Sequence, residues 1–174
     1  MSIFTKAATT ALTGLAIFGF ASAAFAHHVP QQPFVESESV GLLNTVQATG
    51  HEVFVDGGMC NQGNGILGYA TTSGELVICA KNHGNDMDEL ADTIRHEALH
   101  LVQFCKGRRN GATAALLVPQ HAQGNLDYAI NHLHMPEGQY EARQHYAEGE
   151  ARVLAYSLDE HEVANLLIEE CGIK

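Results

Sequence analysis

The sequence predicts an α+β fold: a small, partly antiparallel sheet from the N-terminal half, one long buried helix, and a helical C-terminal half, with a cleft between the halves. Three observations carry this. Short apolar runs bounded by turn residues, at 51–55 and 75–80, read as strands. Leu90, Ile94, Ala98, Leu101 and Cys105 recur at spacings of three and four, the stripe of a helix anchored in a core. Beyond Met135-Pro136 the chain carries helix-start and helix-stop signals and no further strand signature.

The first 26 residues read as a secretory signal peptide, because Lys6 precedes a run of small and apolar residues and Ala24-Phe25-Ala26 offers a small-x-small cleavage pattern. The expected mature chain, 27–174, has the size of one domain and buries a core without needing metal or disulfides merely to fold. The net charge of -11 disfavours nucleic acid and anionic lipid as partners, and loss of Lys6 makes it more acidic still. No segment after the leader is apolar and long enough to be a membrane anchor.

In chain order, residues 27–32 are expected to be irregular, since Pro30 and Pro33 interrupt any ladder. His27 and His28 would then stand at a flexible N-terminus, where a histidine pair either binds a metal through the amine or does nothing specific. Val40, Leu42, Leu43 and Val46 predict a helix stopped by Gly50. A strand at 51–55 is halted by Gly57 and Gly58, and the glycine-rich stretch to Ala80 holds two short strands. The long helix begins at Asp86, whose spacing to Glu89 fits a capping box, and is expected to end near Cys105, before Gly107. Residues 120–133 suggest a short helix, 136–156 a longer one, and Ser157 to Glu160 a second capping box before a helix ending at Gly172.

Four cysteines behind an export signal predict two disulfides. Of the three pairings, Cys60 with Cys79 and Cys105 with Cys171 is favoured. Cys60 and Cys79 flank a hairpin-like segment, whereas Cys105 ends a helix and Cys171 lies near the C-terminus.

The chemistry sits in His96-Glu97-Ala98-Leu99-His100. Positions i and i+4 share a helical face, so His96 and His100 direct two imidazoles at one ion, while Glu97 stands beside it. Zinc suits such a site, because it binds imidazole well and lowers the pKa of a water held in its open position, which Glu97 is placed to deprotonate. His132 and His134 alternate and read as a solvated loop.

This motif resembles that of the zincin metallopeptidases. The metzincin extension is excluded by Gln103 and Lys106, which stand where that branch has glycine and histidine. The gluzincin branch takes its third ligand from a glutamate on a later helix, and Glu148-Gly149-Glu150-Ala151 is similar to that element. The resemblance places the ligand at Glu148, three residues before Ala151, with Glu150 as the alternative and Glu141, His121, His132, His134 or His145 behind it. Many gluzincins carry an aspartate four residues after that ligand, where this chain has Arg152, so the groups that orient the histidines are left unassigned, with Asp92 one candidate. The resemblance also implies that the strand before the motif helix, here 75–80, borders the cleft and pairs with substrate. Tyr140, His145, Tyr146, Arg152 and Tyr156 lie near enough to the second element to donate to an oxyanion, and none is singled out.

The expected function is a secreted or periplasmic zinc metallopeptidase that hydrolyses peptide or protein substrates through a zinc-bound water activated by Glu97. A non-catalytic zinc-binding or storage protein and a catalytically silent zincin fold acting as an interaction module are the alternatives.

Overall fold

The computed structural model describes residues 37–63, 65–113, 117 and 142–174, with backbone alone at 37, 38 and 142–145. The expected leader, the helix at 120–133 and the start of the helix at 136–156 lie outside these residues. The described elements are α1 (Ser37–Ala48), β1 (Glu52–Val55), a 3-10 turn (Gly58–Gln62), β2 (Gly68–Ala70), β3 (Glu75–Ile78), α2 (Ala80–His83), α3 (Met87–Arg109), α4 (Ala142–Ser157) and α5 (Glu160–Cys171). This is the α+β arrangement expected.

The sheet is mixed, in the order β1-β3-β2, with β1 parallel and β2 antiparallel to β3. Central position explains why Leu76, Val77 and Ile78 are all buried, giving β3 its unbroken apolar run. Leu76 and Ile78 join Val53 in the main core, while Val77 packs with Cys60 and Cys79 on the opposite face, beside Phe54 and Tyr69. Two neighbours leave β3 no free edge, so residues 75–80 cannot accept a further strand. The edges belong to β1 and β2, and β2 is the one that lies against α3.

The stripe on α3 is buried as expected, and Ala91, Leu99 and Val102 widen it until the helix contacts the sheet, α1, α4 and α5. The helix passes Gly107 and ends at Asn110, with Gly111 at a φ of 72°. Gly107 is buried within the last turn, where Arg109 pairs with Glu170 of α5 and three basic residues complement the helix dipole. The helix start is as read: the Asp86 side chain accepts from the Glu89 N–H at 2.9 Å. The second capping box falls two residues later than expected. Ser157 stays in α4 and donates its hydroxyl to the Val153 carbonyl, so Asp159 becomes the cap, reciprocated by Glu162.

Both disulfides join the expected partners, Cys60 to Cys79 and Cys105 to Cys171. The second ties the end of α3 to the end of α5. Arg95 makes a further tie, donating to the Ala155 carbonyl at 3.1 Å and to Glu160 at 2.6 Å, and pairing with Asp92. Among the described residues no helix is long and apolar enough to cross a membrane.

Ala151 and Ala155 are the small residues that let α4 lie close to α3, and Ala151 is wholly buried. Replacing Ala151 with leucine overpacks this seam. We expect a loss of about 1–3 kcal/mol in unfolding free energy by urea denaturation, with the histidine-bearing face of α3 pushed away from α4.

Candidate metal centre

The face of α3 left over by the apolar stripe carries His96 and His100, and α4 crosses it with Glu148. His96 Nε2 lies 3.0 Å from one Glu148 oxygen and His100 Nε2 lies 3.1 Å from the other, with the two imidazole nitrogens 3.1 Å apart. Three donor atoms of the type and number that a metal ion takes therefore converge on one point. Bonds of about 2.0–2.1 Å in a tetrahedral shell imply ligand separations of roughly 3.3 Å, so an ion fits after an outward shift of a few tenths of an ångström.

The direction of the lone pairs supports this fit. The Gln103 amide nitrogen faces the Ala147 carbonyl at 2.9 Å and a Glu150 oxygen at 2.8 Å, both acceptors, so its carbonyl faces His100 Nδ1 at 2.8 Å. Nδ1 must then carry a proton, and Nε2 is the nitrogen left to bind an ion beside His96 and Glu148.

Without an ion these groups form an ion pair. Burial works against the His100 imidazolium, but the Glu148 hydrogen bond, the charges of Glu97 and Glu148, and Gln103 outweigh it and raise the group to about 9. Burial likewise works against the Glu148 carboxylate, and the two histidines more than offset it, holding it well below the usual carboxylate range.

Glu97 is buried, at 7 % exposure. Burial pushes its carboxyl up; His100 and His96 pull it down, Glu148 raises it, and a hydrogen bond from the Ala70 backbone lowers it. That last contact comes from the edge of the sheet. In β2 the paired groups face β3, through Tyr69 opposite Val77 and the flanking bonds from Thr71 to Glu75 and from Cys79 to Leu67. Gly68 and Ala70 consequently turn their backbone groups outward, over Glu97. A side chain at Gly68 would place its Cβ 2.8 Å from Thr93 and 3.1 Å from Glu97, so glycine is what brings the edge this close.

The remaining expected residues sort clearly. Glu150 does not join the histidines: it is fully buried, with one oxygen on Gln103 and the other accepting the Leu117 N–H at 2.6 Å. Asp92 serves Arg95, not a histidine. Arg152, Tyr146 and Tyr156 are exposed, whereas Glu141, His121, His132, His134, Tyr140 and the His145 side chain lie outside the described residues, as do His27 and His28. Gln103 and the β2 edge were not read from the sequence as parts of this site. Gln103 carries one signal: it lies three residues from His100, on the same helical face. A second histidine-cysteine group, His51 with Cys105 and Cys171, has its sulfurs in a disulfide and offers no thiolate.

The ion pair sets a pH dependence. A His100 pKa raised from 6.5 to about 9 contributes stability that is complete below pH 6.5 and lost as pH rises through about 9. The lowered Glu148 pKa contributes stability present above its ordinary 4.5 and lost as pH falls through its folded value. Metal-free protein is therefore expected to lose thermal stability between pH 7 and about 9.5 by calorimetry, and the Glu148→Gln variant to lose less. Metal binding must expel the His100 proton, so affinity measured by titration calorimetry should rise with pH up to about 9 and then level.

Comparison of the chain with protein-family models, curated proteins and solved structures finds no match, so the reading of this site rests on its geometry and chemistry.

Proposed function

We propose that the protein is an exported zinc metallopeptidase of the gluzincin type, with His96, His100 and Glu148 as zinc ligands and Glu97 as general base. The observation that carries this reading is the conjunction of three converging donors with a buried carboxylate beside them and a strand edge turned towards it. A storage site needs the donors alone. It gains nothing from a desolvated glutamate at their side or from a strand edge turned over it.

Zinc, when bound, supplies Lewis acidity that acidifies a water and polarises the scissile carbonyl. Glu97 accepts the proton of the attacking water and returns it to the leaving amine; its raised pKa brings it closer to the working pH that such a shuttle needs. With the Ala70 N–H held by Glu97, the Gly68 backbone and the Ala70 carbonyl are the outward groups left to pair with an extended peptide, the part first expected of residues 75–80. His100 is kept in the ligating tautomer by Gln103. The two disulfides support export into an oxidising compartment, periplasmic or extracellular.

The test measures zinc per chain and cleavage of a mixed peptide library. Wild type is expected to bind one zinc and cut. Glu97→Gln should keep the metal and lose turnover by about 10²–10⁴-fold, while Glu148→Gln should lose the metal. A Glu97→Gln variant that cuts as fast as wild type rejects the peptidase reading, and zinc binding without any cleavage favours storage.

A further inference from the structure

Glu150 and Gln103 are both fully buried, and neither points at the candidate ion. Two polar side chains in an apolar seam between helices cost stability unless they are paired, and an apolar pair would pack there without that requirement. Their bonds converge on the Glu150 carboxylate. Glu150 accepts from the Leu117 N–H at 2.6 Å and from the Gln103 amide at 2.8 Å. The same amide donates to the Ala147 carbonyl at 2.9 Å, and the Gln103 carbonyl accepts His100 Nδ1–H at 2.8 Å. The line therefore starts at the segment after α3, crosses α4, and ends on the far nitrogen of an imidazole.

Resting on the metal-site reading above, we propose that Gln103 and Glu150 are a positioning pair for His100: Glu150 fixes the Gln103 amide, whose carbonyl holds the His100 ring in one rotamer and one tautomer, Nδ1–H, with Nε2 aimed at the ion. A glutamine amide left free could rotate about its last bond and present its nitrogen to His100. The Glu150 carboxylate and the Ala147 carbonyl, both acceptors, forbid that rotation. Arg152, four residues after Glu148, is exposed and takes no part in this support. Here support comes from the motif helix itself, one turn past His100, and α4 contributes Glu150 to brace it.

The test uses the full disulfide-bonded mature chain, with zinc and cobalt(II) as probes. Gln103→Met keeps the length and removes the acceptor. We expect zinc bound about 10- to 100-fold more weakly, an altered cobalt d–d spectrum, and loss of the slowly exchanging His100 Nδ1–H resonance in the zinc-loaded protein. The exchanged pair, Gln103→Glu with Glu150→Gln, restores an acceptor opposite Nδ1 and a donor between positions 103 and 150. It should recover the resonance and most of the affinity, even if its denaturation midpoint stays low because the Ala147 carbonyl loses its partner. A purely structural pair would instead let zinc affinity follow the denaturation midpoint, with the resonance unchanged in Gln103→Met. That result, or a Gln103→Met affinity equal to wild type, overturns the positioning role while leaving the zinc site standing. A wild type that binds no zinc overturns the metal reading and this inference together.

Discussion

The structure turns on the burial of α3. The helix is enclosed by the sheet and α1 and by α4 and α5, so nearly every side chain it carries must be apolar or have a partner built for it. Leu90, Ile94, Ala98, Leu99, Leu101 and Val102 meet the first condition. Arg95, His96, Glu97, His100 and Gln103 meet the second, each with a partner from outside the helix: Glu160, Glu148, the Ala70 backbone, Glu148 again, and Glu150.

The polar contacts explain the placement of the elements around the helix. Burial of Ala151 and Ala155 sets how close α4 comes, and Glu148, one turn before Ala151, consequently reaches the histidines. Arg95 ties the Ala155 carbonyl and Glu160, holding the junction of α4 and α5 against the helix. On the other side, the missing side chain of Gly68 lets β2 come down to Glu97. Three small residues thus control how near the second and third walls of the site stand to the first.

Sequence made the local parts of this legible and left the non-local parts open. The α3 stripe, the Asp86 cap and the disulfide partners are patterns within a few residues or arithmetic on cysteines, and they stand in the structure. Strand order is a long-range property: 75–80 was expected at an edge, but an uninterrupted Leu76-Val77-Ile78 run, buried on both faces, belongs in the middle of a sheet. Ser157 misled for a local reason, since its hydroxyl can bond back within α4 as well as cap α5. Between Glu148 and Glu150 sequence spacing alone could not choose. They lie about 200° apart around a helix, and only the crossing of α4 over α3 decides which faces the histidines.

The disulfide between Cys105 and Cys171 spans a separation of 66 residues, and Glu148 lies within the loop it closes. His100 precedes that loop by little more than one helical turn. In an oxidised but loosened chain, the carboxylate therefore stays on a short leash beside the imidazoles, as the arms of a chelator stay joined when one of them lets go. Without the bridge, the same carboxylate would have to return along the whole intervening chain. Covalent closure thus shortens the chain path between the third donor and the first two, and raises its local concentration around them when the helices loosen.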